Sequence, residues 1–467
     1  MDGRKLVVIE ANEVPRRVVV DVAATGRTPF LAALIERGAL VETVVDEELP
    51  RELYPSQSWA SMNTGVTFAE HGVYWYGDPK PDAYPLYWQR AATAGLSIGL
   101  VNTLHSSPID RQCRNGDYRF VIPDCFSAGH ETIPARYSGF QRANTALTGA
   151  NSRRTSLRPD VVQLARLARA VPTLGTRAST LADMARLVAG VALGRIPRER
   201  LRTGQFFLLR DLFLRLLAQE SPDLAVLFTN HVAAAMHRYW YAMYPEDFAD
   251  EHYRRDWVAR HRDEVTMAIV GLDRFLGEVH RWCVANDRTL IVCSSMGQGP
   301  SSRLDTAVGH EAVIVDPVRF LQALKIGPDV EVLGSMAPQL TIDCGTADRA
   351  AEAAARLDDV DAGQVFWDVD RAAGVVTLTY EIDVVDERTV KIGRSRRPAG
   401  SVGVEVYPVD DHSSGRHIAR GILAVANSPT FKPPSDGLLD YLDYAPAVLR
   451  HLGVEPDPHH RLPQFRI

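Results

Sequence analysis

Residues 223–240 read DLAVLFTNHVAAAMHRYW, and this stretch decides the fold class. The run DLAVLF is short, continuous and apolar, bounded by Ser221-Pro222 on one side and Thr229-Asn230 on the other. That is the pattern of a strand buried on both faces of a parallel sheet. The Ala-rich run VAAAMHRYW that follows reads as a helix. His231 therefore stands at a strand-to-helix joint, and His237 just inside the helix. In open α/β sheets that joint is where ligands bind. Ordinary packing is the other use of two such histidines.

The rest of the chain extends the pattern. KLVVIEA, LVETVVD and LSIGLVNTL read as strands, with RTPFLAALIERGA and LYWQRAATAG as helices between them. Alternation of this kind predicts an α/β fold, a mostly parallel central sheet covered by helices on both faces. The sheet pattern occupies residues 1–126, 221–310 and 401–467. Residues 127–220 are rich in Arg, Ala and Leu at helical spacing and read as a helical insertion. Residues 311–400 read as a small α+β insertion with an antiparallel sheet. No repeat or low-complexity tract interrupts the chain.

Composition narrows the function classes. The chain has 467 residues, 46% hydrophobic and 24% charged, with a net charge of −6. That is a soluble globular balance, and it argues against nucleic acid as a partner. The five cysteines are scattered and form no C-x-x-C pair, which fits a reduced, cytoplasmic setting. The N-terminal apolar run is a first strand rather than a signal peptide. No stretch reaches the roughly 18 apolar residues of a membrane span. LADMARLVAGVALGRIPRERLR, residues 181–202, reads as an amphipathic helix with a basic end, facing either solvent or a membrane surface.

The densest motif is YPSQSWASMNTGVTFAEHGV, residues 54–73. Small hydroxyl residues precede a helical turn, where orphan N–H groups and the helix dipole favour an anion. A serine there is placed to attack a phosphate or sulfate; capping is its commoner use. Ser56 and Ser58 are the two candidates.

The ordered set of motifs resembles the alkaline phosphatase superfamily, in its type I phosphodiesterase/nucleotide pyrophosphatase branch. VVIEAN resembles that family's first strand, and SWASMNTGVTFAEHGV its nucleophile segment. DLAVLFTNHVAAAMHRYW resembles the strand and helix carrying an Asp and a His ligand. TLIVCSSMGQG resembles the strand that delivers an Asp-His-Gly, and HSSGRHIARGILAVAN the segment with the last His. The resemblance implies divalent metal chemistry at a phosphoryl centre, where ions neutralise the attacking and leaving oxygens.

The chain departs from the pattern at several ligand positions. Glu10 and Asn12 stand near the first-strand Asp, and Ser295-Met296-Gly297 replaces the Asp-His-Gly. Met is a poor ligand for a hard ion. The resemblance places His237 and His417 at ligand positions and Ala233 where an Asp is expected. On one continuous helix His231 and His237 point about 120° apart. If His231 lies outside the helix, His231, His237 and His417 form a three-histidine site of the kind that holds a single catalytic zinc. Manganese and magnesium are the alternatives, and fewer than two ions are expected. Glu10 and Asn12 complete the metal-ligand candidates. Asn230, His105, Ser295 and His412 are the expected substrate contacts. The aromatic run VYWYGDPKPDAYPLYW either stacks on a sugar or base or packs in the core.

The expected function is hydrolysis or transfer of a phosphate ester, a diester or a nucleotide- or glycan-linked phosphate, at a Ser nucleophile and a His-rich metal site. The competing expectation is a catalytically silent relative that serves as a binding or scaffold module.

Overall fold

A computed structural model describes residues 5–49, 51–151, 171–249, 253–301, 310–335, 339–361, 365–372, 374–382, 389–408 and 413–467. Eight strands form the central sheet: β1 (Leu6–Ala11), β2 (Leu40–Val44), β3 (Ser97–Val101), β4 (Asp117–Ile122), β5 (Leu224–Thr229), β6 (Thr289–Cys293), β7 (Arg420–Ala426) and β8 (Leu438–Asp440). Their order across the sheet is β8-β2-β7-β6-β1-β5-β3-β4. β1 pairs in parallel with both β5 and β6, and β3 in parallel with both β5 and β4. Only β7 runs against its neighbours, β2 and β6. The sheet is therefore mostly parallel, and the α/β class read from the sequence is the class observed.

Continuous apolar runs form the middle of this sheet because helices cover both of its faces. Every residue of β1, β5 and β6 is buried. On one face, Val7, Ile9 and Ala11 pack beneath α1 (Arg16–Ala24), α3 (Thr203–Glu220), α4 (His231–Met243) and α5 (Glu264–Ala285). On the other, Leu6 and Val8 pack beneath α2 (Pro55–Thr64) and α6 (Tyr444–His451). Each fully buried Val, Leu or Ile contributes about 1.5–3 kcal/mol. The same two-residue alternation assigns Glu10 to the α2 side of the sheet.

A third core lies apart from the sheet. Phe320, Leu340, Ile342, Leu378 and Val402 belong to it, under antiparallel strands Gln339–Asp343 and Val375–Ile382. In the 127–220 segment, α3 lies on the sheet, and helix Ala178–Ala192 sits outside it with much of its surface exposed.

Candidate metal centre

The C-terminal ends of β1, β5 and β6 meet at one edge of the sheet. α4 begins at His231, with Asn230 as its N-cap, so β5 feeds directly into the helix. The helix kinks at Tyr239 (φ −119°, ψ 16°). The cause is a polar residue inserted against its backbone. Ser414 N–H donates to His237 O at 2.7 Å, and Ser414 Oγ donates to Arg238 O at 3.1 Å. Beside it the chain passes so close to the helix that a Cβ on Gly415 would lie 2.6 Å from Met236 O. This approach puts Gly415 O 3.1 Å from His237 Nδ1. A carbonyl only accepts, so Nδ1 carries the proton and Nε2 presents its lone pair inward.

His417 is positioned in the same way from another element. It lies in strand Gly415–Ile418, which pairs antiparallel with Gly297–Pro300 and sets His417 opposite Gln298. Its Nδ1–H donates to Leu53 O at 2.7 Å. Its ring packs edge-on to that of His237, with centroids 5.1 Å apart.

Both Nε2 atoms face Glu13. His237 Nε2 lies 2.9 Å from Glu13 Oε2, and His417 Nε2 lies 3.5 Å from the same oxygen. Gln298 Nε2 also donates to Oε2, while Asn12 Nδ2 donates to Oε1 at 2.6 Å. Glu13 is buried and takes a left-handed backbone (φ 59°) just past β1. Such strain in a non-glycine residue is characteristic of sites that the surrounding structure over-determines. Burial alone would raise its carboxyl pKa, but the facing His417 and His237 hold it well below the usual range. Burial pulls the His417 ring down, and the Glu13 charge and its hydrogen bonds more than reverse that, so its pKa is raised.

The ligand atoms of Glu13, His237 and His417 all lie within 4.8 Å of one another. With both Nδ1–H groups committed to carbonyls, two imidazole lone pairs would confront a carboxylate. The cluster requires a positive charge between them, either extra ring protons or a divalent cation. Imidazoles whose outer N–H is held by a carbonyl are the usual form of metal-ligating histidine. Two histidines and a glutamate with a position left open are a known catalytic zinc set.

A second group, Asp457, His459 and His460, is equally compact. It is not a ligand set. His460 donates Nε2–H to Thr64 O at 2.7 Å, and its Nδ1 accepts from Asp457 N–H at 3.1 Å, so both nitrogens are spent.

Several residues singled out from the sequence lie elsewhere. His231 does not join His237 and His417. It is the first residue of α4, so the helical offset turns its ring toward α3 and α5, where it stacks on Phe206 at 3.7 Å. It donates Nε2–H to Ala268 O at 3.2 Å and accepts from Thr229 Oγ1 at 2.8 Å. Burial pushes its pKa down to about 3. Glu10 lies on the opposite face of the sheet, against Asn63 of α2. Burial raises its carboxyl pKa to about 8, so it is neutral near pH 7. Asn12 adjoins the centre, but its carbonyl accepts from Trp59 Nε1 at 2.8 Å and its amide binds Glu13 and Asn230. It orients Glu13 rather than offering a free ligand atom. His412 lies outside the described residues, and Glu13 itself was not among the sequence candidates.

The two serines part company. α2 starts with Pro55 at its first position and ends at Gly65 in the left-handed region, a proline-first, glycine-last helix. Ser58 Oγ lies 2.8 Å from Ser295 Oγ, at the end of β6. Its neighbour Trp59 holds Asn12, which holds Glu13. Ser56 Oγ instead donates to Tyr74 O at 2.5 Å, and its carbonyl accepts from His105 Nε2 at 2.7 Å. Met296 is fully buried. Beyond Ser56, a cavity of about 1450 Å³ is lined by His105, Tyr76, Lys80, Phe126 and Leu333. Tyr76 stacks on Phe126 at 4.8 Å, and its hydroxyl is within electrostatic reach of Glu13.

A family model described as type I phosphodiesterase / nucleotide pyrophosphatase matches residues 19–360. That span holds Ser56, Ser58 and His237, with Glu13 and His417 on either side of it. Similar solved structures include phosphonoacetate hydrolase from Sinorhizobium meliloti 1021 in complex with phosphonoformate, at 14% identity and TM-score 0.42, covering 97% of this chain and 96% of that one. Human ectonucleotide pyrophosphatase / phosphodiesterase 5 aligns at 13% identity and TM-score 0.41, covering 98% and 96%. Thermus thermophilus alkaline phosphatase aligns at 13% identity and TM-score 0.40, covering 97% and 92%. No curated protein matches the sequence.

Proposed function

This chain belongs to the type I phosphodiesterase / nucleotide pyrophosphatase family of phosphate-ester hydrolases, and on that premise we propose that it cleaves a phosphodiester at a one-ion site. Glu13, His237 and His417 would hold the ion, and Ser58 would attack. Zinc suits the two-imidazole, one-carboxylate set best. A bound divalent ion supplies charge neutralisation for a phosphoryl oxygen.

The remaining work belongs to the chain's own groups. Gly415 O and Leu53 O fix the tautomers of the two imidazoles. Asn12 and Gln298 hold the Glu13 carboxylate in one orientation. Ser295 holds the Ser58 hydroxyl, so the attacking oxygen starts in one rotamer. The large cavity, lined by Ala60 and Thr64 of α2 and by His105, which contacts Ser56, offers room for the ester substituent, with aromatic walls at Tyr76 and Phe126.

The observation that carries this reading is the convergence of two imidazoles, each with its Nδ1 facing a carbonyl, on the buried carboxylate of Glu13, a cluster that added positive charge such as a divalent ion would satisfy. One observation favours the silent-relative reading instead. Ser295 and Met296 supply no charge where the family resemblance expects a second ligand set, and a proton on His417 also satisfies Glu13. One experiment separates the two: metal analysis of the purified protein, followed by turnover of a chromogenic phosphodiester. The enzyme reading expects one divalent ion per chain and metal-dependent turnover. No retained ion and no turnover with added zinc, manganese or magnesium would leave the binding-module reading.

A further inference from the structure

Helix Ala178–Ala192 has an outer face that nothing in the described chain covers. Thr180 and Leu187 are buried and Met184 packs against the main core, which accounts for its inner face. The outer face presents Leu181, Ala185, Val188, Ala189 and Ala192, all exposed, and Leu193 follows at the helix end. Leu181, Val188 and Leu193 are 47%, 58% and 65% exposed. Residues 181, 185, 188, 189 and 192 fall within an arc of about 100°. That arc contains no charged side chain, whereas a solvated helix carries its charges there.

Charge says what covers this face. Residues 127–220 contain fifteen arginines, no lysine and six acidic residues, a net of +9 in a chain of net −6, which leaves −15 for the remainder. Arg177 and Arg200 are spent on Asp211, Glu278 and Glu264. Arg186, 76% exposed and touching Asp183, borders the apolar arc, and exposed Arg195 follows just past its C-terminal end. An apolar stripe bordered by arginines on a basic segment is the pattern of a helix that lies in a bilayer interface. The opposite charge of the remainder would orient the molecule with this face toward an anionic surface.

We propose that helix Ala178–Ala192 docks the protein on an anionic phospholipid bilayer, lying flat in the interface. No single described helix is long and apolar enough to cross a membrane. A second copy is disfavoured, because pairing at this helix sets two strongly basic segments against each other. A specific protein partner is disfavoured because the stripe is aliphatic and lacks the aromatic anchors such interfaces favour.

The test is co-sedimentation of the full chain with vesicles of about one-third phosphatidylglycerol in phosphatidylcholine, against phosphatidylcholine alone. Binding is expected to the anionic vesicles and to weaken strongly in about 0.5 M salt. Val188→Glu with Leu193→Glu, both exposed positions, is expected to bind about tenfold or more weakly with an unchanged melting curve. Arg186→Gln with Arg195→Gln checks the charge contribution without touching the stripe and is expected to weaken binding about threefold or more. The proposal is overturned if the anionic vesicles fail to sediment the protein. Equal binding by both variants overturns it too, as does a concentration-dependent dimer that the glutamate variant abolishes.

Discussion

Two neighbouring regions of the sheet edge, joined by the Asn12-Glu13 peptide, are built from opposite materials. Glu13, His237 and His417 bring one carboxylate and two imidazoles together, and their inner atoms cannot be satisfied without added positive charge. Ser58, Ser295, Trp59 and Asn12 are hydroxyl, indole and amide, and they satisfy one another as they stand. A divalent ion needs donors that compensate the loss of its water shell. The first region supplies them and the second does not. On the proposed reading the difference would give one ion, held by the first region, instead of the paired-ion arrangement the resemblance implies.

The sharpest way to break this comparison is to remove the hydroxyls one at a time. Ser58→Ala is expected to lower turnover of a chromogenic phosphodiester by about 10³-fold or more, and Ser56→Ala by less than about tenfold. Equal losses would dissolve the distinction drawn between them. Next is the carboxylate. Glu13→Gln leaves two imidazoles without a charged partner and is expected to weaken zinc binding about 100-fold, read by competition with a chromogenic chelator. Unchanged affinity would move the ion elsewhere.

The acid across the sheet gives a smaller, pH-dependent effect. Glu10 is fully buried, and burial raises its pKa from 4.5 to about 8. The folded state therefore binds a proton that the unfolded state releases above pH 4.5. Stability from this group is complete below that value and falls as pH rises toward about 8. Between pH 5 and 7 the loss is on the order of 2–3 kcal/mol. Glu10→Gln should flatten that slope in urea unfolding and leave zinc affinity within about twofold. A shift in zinc affinity would place Glu10 in the metal centre after all. The smallest effect is expected at the kink. Ser414→Ala removes the Oγ bond to Arg238 O and should cost about 1 kcal/mol, with only a few-fold change in zinc affinity.

Much of this edge was legible. Short apolar runs alternating with helical ones specified a buried, mostly parallel sheet, and the segment order placed His237 and His417 together at one edge of it. Glu13 is not legible in this way because period-two alternation reaches only to the end of β1, which singles out Glu10, with Asn12 next to it. The signal was an acid just past the strand, in EANE, on the side where βα turns point. What brings it to the two histidines is a left-handed turn that no periodicity encodes in a non-glycine residue. His231 was misplaced for a related reason. Its role turned on whether the helix begins at residue 231 or after it, and one residue at a helix end is the least legible feature of a sequence. Because the helix includes it, the 120° offset holds and the ring enters the core.

By itself, then, the sequence determined the layered α/β architecture, the charge asymmetry of the 127–220 segment and two of the three residues now proposed to hold an ion. Those follow from hydrophobic period, composition and segment order, which are local. Only the tertiary structure decided which acid meets the histidines, which serine pairs with Ser295 and which face of Ala178–Ala192 the described chain leaves uncovered. Those depend on approaches between residues far apart in the chain, such as Gly415 against Met236 and Ser58 against Ser295. Contacts of that kind follow from packing and backbone geometry, and no local pattern carries them.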